Sequence, residues 1–419
     1  MKKLILLVST LNLFCGNLNA QQANMCRTSE VMAELYQSNA QSVTERLAFE
    51  EFTKQYAQHG ALKTTADSFV IPVVFHVYGT TQSGYTINDA LIKLALKGVN
   101  DDFNGLNSDY GTVHSSFMGI RGTIKFRFAL ALKDPSGNPT TGILYYPTKS
   151  GYGNTSVDAQ IAADAWDNTK YMNVYIQNDL YNNAIYNYSG VSWYPNMSMT
   201  TAGTARVVYN GAYLASNNTA NPEFASVLTH EFAHFFNLIH TFEGGCVAPN
   251  DSIADTPPCA QAQGCHTTTT VNAPLNCNNQ LINAENYMDY NSSCYKMFTQ
   301  GQIVRMTAAT QHPARVTLWQ ESNLVATGIH FPAGITPIVP EILMQVYPNP
   351  SNGLFNISVK GNYIYAAVYV TDITGSLVYN HTVSPDKVNT VDIQDRPKGL
   401  YFVTLSTDGK SQTYKLVLQ

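Results

Sequence analysis

The segment Thr229-His230-Glu231-Phe232-Ala233-His234-Phe235-Phe236-Asn237-Leu238-Ile239-His240 carries three histidines and a glutamate at spacings suited to metal chemistry. His230 and His234 lie four apart, one helical turn along one face, so both imidazoles can reach one ion. Glu231 adjoins the first histidine, where it can hold a water on that ion. His240 follows His234 by six residues, too far to join the others on an unbroken helix. The chain must turn between them, and Asn237 is, after glycine, the residue most tolerant of a left-handed backbone. Three neutral imidazoles leave the fourth position of a tetrahedral zinc open for water. Zinc lowers the pKa of such a water to about 7, and Glu231 would take its proton as it attacks a carbonyl. The expected ligands are therefore His230, His234 and His240, with Glu231 as general base of a hydrolysis. A buried helix with three incidental histidines is the competing reading. It accounts for neither the third histidine's offset nor the turn residue.

These side chains need a helix and a sheet to hold them. Pro222 suits a helix start, and Ala225 to Phe236 can run as helix, with Phe232, Phe235 and Phe236 to bury. Val70 to Val77 is a β-branched run that reads as the first strand of a domain. Ile87 to Phe103 has helical apolar spacing, Ile124 to Leu130 alternates as a strand, and Val157 to Trp166 returns to helix. Tyr171 to Ile176, Ser189 to Tyr194 and Arg206 to Tyr209 read as further strands. The mix predicts an α/β or α+β domain. From about residue 321 the character changes: Gly328, Pro332, Gly334, Pro337 and Pro340 punctuate a linker. Beyond it lie short strands and turns, with Leu400 to Leu405 and Thr413 to Leu418 flanking Asp408-Gly409 as a hairpin. That pattern predicts a small all-β sandwich. Before the first strand, residues 21–62 read as helical and polar, with no sign of a core.

The chain has 419 residues, room for about two to three domains. Lys and Arg number 24 against 29 Asp and Glu, a formal net charge of −5. That argues against a nucleic-acid binder relying on a positive field. Lys2 and Lys3 precede an apolar run from Leu4 to Phe14, and Ala20 ends a plausible cleavage site, so Met1–Ala20 reads as an export signal. No later run is long and apolar enough to predict a membrane span. Cys15 leaves with the signal and Cys26 stands alone. Cys246, Cys259, Cys265, Cys277 and Cys294 crowd together, which in an exported protein implies two disulfides and one cysteine over.

His230 to His240 resembles the zinc signature of the metzincin clan, with Asn237 where the clan normally has glycine. Asn286-Tyr287-Met288-Asp289-Tyr290 is similar to its Met-turn. The resemblance implies Met288 as an apolar floor under the zinc and Tyr290 as a support for the oxyanion of the scissile carbonyl. His240-Thr241-Phe242, Asp255-Thr256-Pro257 and Phe298-Thr299-Gln300-Gly301-Gln302 with Arg305-Met306 resemble the pappalysin family, over roughly residues 67–318. That family implies a twisted mixed sheet with an active-site helix, and the pairings Cys246–Cys277 and Cys265–Cys294. Asn291-Ser292-Ser293 lacks the acidic residue that favours basic side chains in some relatives, so no such preference is carried over. Cys26-Arg27-Thr28 resembles the pro-segment cysteine whose thiolate caps zinc in latent relatives; the other reading is a disulfide with Cys259. Glu243, Asp251, Asp255 and the Thr256 carbonyl are expected either to bind calcium, as loops there do in relatives, or to form a solvated acidic loop. Val346 to Gly353, Lys398 to Tyr401 and Lys415 to Val417 resemble a type IX secretion sorting domain, the other reading being an adhesive or carbohydrate-binding module.

The expected organisation is a signal peptide at 1–20, a pro-segment at 21–62, a zinc peptidase domain at 63–320, a linker at 321–340 and a sorting domain at 341–419. The expected function is a secreted or surface zinc endopeptidase, exported through the periplasm and made as a latent zymogen. Its partners would be protein or peptide substrates and the type IX secretion machinery. The alternative is a surface adhesin on a catalytically dead metzincin scaffold, against which the retention of Glu231 and all three histidines argues.

Overall fold

The computed structural model describes residues 26–59, 68–215, 226–247, 250–262, 265, 275–329, 343–360, 366–383, 388–407 and 410–419. The expected signal peptide, Pro222, the Asp408-Gly409 turn and most of the expected linker lie outside these residues. The β-branched run becomes β1 (Phe69–Tyr78), whose residues are buried except for a half-buried Val70. It sits inside a sheet with β2 (Phe126–Leu130), β3 (Ile143–Tyr146), β4 (Met172–Gln177), β5 (Gly190–Ser192) and β6 (Val207–Asn210). The order is β2-β1-β4-β6-β5, with β3 also on β1. β2 pairs the first half of β1, Phe69 to Val73, and β3 the second, Phe75 to Tyr78. All these pairings are parallel except that of β5, which runs antiparallel to β6 at the edge. Parallel strands buried on both faces read as unbroken apolar runs, which is why β1 was legible and four-residue β3 was not.

Helix α3 (Asp89–Asn104) starts with the Asn88 side chain accepting from Leu91 N–H and ends at Gly105 in the left-handed conformation, φ 65°. It packs beside α4 (Val227–Phe235), every residue of which is buried. Helix α5 (Gln300–Gln311) opens on a reciprocal Thr299/Gln302 capping box, and a 3-10 turn follows at Val316–Trp319.

The segment before the sheet differs from expectation. It forms two helices, α1 (Thr28–Ser38) and α2 (Ala40–His59), and it is not merely polar: Val31, Met32, Leu35 and Phe49 join the main core. The spacing of so few apolar residues within polar sequence hid them. The expected linker also starts later than residue 321. Glu321–Ala326 is helical, Asn323 donates to the Lys170 carbonyl, and the Thr327 carbonyl accepts from Leu132 and Lys133 N–H.

The C-terminal strands form two antiparallel sheets. One holds 343–347, 354–360 and 388–392, the other 366–372, 377–382, 399–407 and 410–418. Their inward residues, among them Phe355, Ile357, Val368, Val403 and Leu416, make a second core.

Candidate metal centre

Helix α4 carries His230 and His234 on one face, and the chain then reverses. Asn237 has φ 76°, the left-handed conformation, and this brings His240 back to the other two. The three Nε2 atoms converge: His230 to His234 at 3.0 Å, His234 to His240 at 3.1 Å and His230 to His240 at 3.2 Å. Each Nδ1 has its own partner. Those of His230 and His234 face the carbonyls of Tyr287 and Leu238, both at 2.6 Å, and so must donate to them. Nδ1 of His240 faces Ser29 Oγ at 3.1 Å, whose own proton goes to Glu243 Oε2 at 2.6 Å. The protons therefore sit on Nδ1, and three Nε2 lone pairs point at one another. Acceptors so placed repel unless a cation lies among them, and Nε2 ligation with Nδ1 donating outward is the usual state of metal-bound histidine. Burial holds His230 down at about 4 and lowers His234 and His240 too, so the imidazoles are neutral ligands at pH 7.

The fourth group of this cluster is Cys26. Its sulfur and the three ring nitrogens lie within 4.8 Å of one another, all buried, the one such metal-ligating group among the described residues. Cys26 is not disulfide-bonded, and neither is buried Cys259. Thr28 N–H donates to Cys26 Sγ at 3.3 Å, while Thr28 Oγ1 donates to Ser192 O and accepts from Ser192 N on edge strand β5. Cys26 Sγ stands 3.5 Å from Glu231 Oε2. Burial pushes both the thiol and the Glu231 carboxyl well up, and the charge of Glu231 adds to the push on the thiol. Glu231 Oε1 is buried without a partner. Gly190 explains how the carboxyl fits: a Cβ there would come within 2.6 Å of Glu231 Cγ and Oε1.

Tyr290 stands over the cluster, its ring centroid 4.8 Å from that of His240, and its hydroxyl donates to the Cys26 carbonyl at 2.6 Å. Met288 is fully buried in the main core, and its carbonyl accepts from Thr241 N–H. Through the Tyr287 and Met288 carbonyls the Met-turn backbone braces both His230 and the residue after His240.

Cys246 is bonded to Cys277 and Cys265 to Cys294. The acidic loop is less gathered. Asp251 accepts from Thr256 Oγ1 at 2.5 Å and Ile253 N–H at 3.1 Å. Asp255 accepts from Thr299 Oγ1 and Gly301 N–H at the start of α5. Glu243 turns instead to Ser29. Burial pushes Asp251 up to about 7.

Sequence reading missed the groups beneath the turn. Arg305, on α5, donates from Nε to the Asn237 carbonyl at 2.7 Å, and Arg315 Nε donates to the Phe235 carbonyl at 3.0 Å. Two guanidiniums thus satisfy carbonyls at the end of α4, where cations also suit the helix dipole. A lone arginine in a sequence carries no such signal.

Comparison with known proteins adds the relatives. The family model described as Peptidase_M43, pregnancy-associated plasma protein-A, matches residues 155–311, and that of the secretion system C-terminal sorting domain matches 345–419. An extracellular metalloprotease of Sordaria macrospora is 36% identical over 143 residues, covering 33% of this chain and 48% of that relative. One of Podospora anserina is 26% identical over 286 residues, covering 68% of this chain and 87% of the relative. Among solved structures, a promirolysin variant of Tannerella forsythia superposes with a TM-score of 0.59 at 25% identity, over 74% of this chain and all of that one. Mature mirolysin in complex with a cleaved peptide gives 0.53 at 27% identity, over 64% of this chain and all of that one.

Proposed function

We propose that this chain is an exported zinc metalloendopeptidase of the pappalysin type with a C-terminal secretion sorting domain, a reading that its matched domains support. The observation that carries it is the convergence of three outward-anchored imidazoles on one point. Zinc held by His230, His234 and His240 would supply Lewis acidity and ready a water for attack. Glu231, with one buried carboxylate oxygen unpartnered and the other 3.5 Å from the Cys26 sulfur, would take the water's proton and pass it to the leaving amine. The Tyr290 hydroxyl now holds the Cys26 carbonyl; with a substrate in place it would donate to the carbonyl oxygen as negative charge develops there. Met288 would form the apolar floor. Protein or peptide substrates would lie along edge strand β5, whose Ser192 N–H and carbonyl are now taken by Thr28.

The described chain is then the latent form. Residues 21–62 act as the pro-segment, and the Cys26 sulfur closes the position that a water needs; a dication there favours the thiolate despite burial. Catalysis belongs to 63–320, and 341–419 serves the type IX secretion machinery.

Glu231→Gln tests the central claim. The variant should retain one zinc per chain by elemental analysis and lose peptidase activity by about three orders of magnitude or more, because Glu231 is a base and not a ligand. An active variant, or a native enzyme free of zinc, would sink the reading.

Calcium in the loop of Asp251, Asp255 and the Thr256 carbonyl, with Glu243 joining once Ser29 has gone, is a second metal claim. Its support is the fully buried Asp251 carboxylate, held by Thr256 Oγ1 and Ile253 N–H in the loop, which burial pushes up to about 7. Calcium should raise the melting temperature of the matured enzyme at pH 8, and Asp251→Asn should abolish the rise. No rise would leave the loop's hydrogen bonds as its whole function.

A further inference from the structure

We propose that the left-handed turn at Asn237, with Arg305 behind it, is a socket for one face of α2, and that it holds the pro-segment separately from Cys26. The inference rests on the latent-precursor reading. Arg46, on α2, donates to Asn237 Oδ1 at 2.6 Å and lies 4.6 Å above the ring centroid of Tyr194, which in turn stands against His234. Glu50, one turn later, takes two hydrogen bonds from the Arg305 guanidinium, at 2.9 and 2.5 Å, and pairs with Arg46 at 2.7 Å. Phe49 sits between them in sequence and packs its ring 4.1 Å from that of His312, just past the end of α5. Thr53 completes the face at 3.4 Å from Asn237 Nδ2.

The side chain of Asn237 is what joins these groups. The turn itself needs only a residue that accepts positive φ, which glycine does with less strain. Glycine offers no acceptor, whereas the Asn237 amide oxygen takes one guanidinium from each side, Arg46 from the pro-segment and Arg305 from the enzyme. The departure from the usual zinc signature therefore supplies a contact to α2. The other arm is the bidentate pair: Arg305 is almost fully buried, and losing Glu50 leaves its charge without this partner.

The two attachments sit on different elements, Cys26 ahead of α1 and Arg46 with Glu50 within α2. Linked sites of this kind reinforce each other, because the loss of one leaves the second close to its partner. Cutting the chain near Cys26 would free the metal while α2 stays docked.

Four full-length precursors test this: wild type, Cys26→Ser, Arg46→Gln/Glu50→Gln, and all three substitutions together. Two readouts apply: loss of the pro-segment to an added serine protease, followed by mass spectrometry, and hydrogen exchange across Ala40–His59. The Arg46→Gln/Glu50→Gln precursor, its Cys26 intact, should lose the pro-segment about tenfold faster than wild type. The Cys26→Ser precursor should keep α2 protected from exchange, and the triple variant should not. Asn237→Gly leaves the helix sequence intact and should shift release in the same direction by less. Wild-type release and exchange in both the Arg46→Gln/Glu50→Gln and Asn237→Gly precursors would overturn the socket. Absence of peptidase activity after complete pro-segment removal would instead defeat the peptidase reading, since neither socket readout depends on catalysis.

Discussion

At the scale of single residues, the third histidine hangs on one backbone angle. A β-branched side chain resists φ near +76°, at a cost of about 1–3 kcal/mol. Asn237→Val should therefore pull His240 away and weaken zinc binding, read by competition with a chromophoric chelator. Undiminished affinity would mean the turn is not what places His240. Chemistry of this kind was legible because it lives in spacing: two histidines four apart, a third six on, and an asparagine between. What Asn237 does with its amide was not legible. Arg46 and Glu50 lie four apart on a polar helix, a pattern that usually marks a solvated ion pair, and nothing local says that Arg305, 255 residues beyond Glu50, completes it.

At the scale of elements, α4 is held from several sides. Its Thr229 hydroxyl donates to Asp102 on α3 at 2.6 Å, and burial pushes that carboxyl up to about 7. The sign follows from linkage: the folded state keeps a proton that the unfolded chain releases near pH 4, so this stability is fully present below that pH and is lost progressively up to about pH 7, as the buried carboxyl is forced to ionise. The melting temperature of the zinc-saturated protein should fall between pH 5 and pH 7 and level off above that, and Asp102→Asn should flatten the slope. An equal slope in the variant would assign the pH dependence elsewhere. Helices and strands with strong periodicity, such as α3 and β1, were readable in advance. The two helices before β1 were readable as helices but not as core, because their few apolar side chains pair with partners far along the chain.

For the whole molecule, the described strands of the sorting domain share a core of their own, made up of residues from 344 to 418, and every residue of the candidate metal centre lies before 291. Deleting 341–419 should leave the purified enzyme active on a small peptide. In the native cell the same deletion should strand it in the periplasm, detected by fractionation. Export of the truncated protein at the normal level would show that the sandwich is not the sorting signal.

Val31, Met32, Leu35 and Phe49 have one more effect. They are part of the main core, and in the proposed latent precursor they would leave with the pro-segment. Maturation would then also be a partial unburial, leaving an oily scar on the enzyme that water must wet or another surface must cover. The matured protein would be the stickier of the two forms, and a dye that brightens on apolar surface would report activation without any substrate at all.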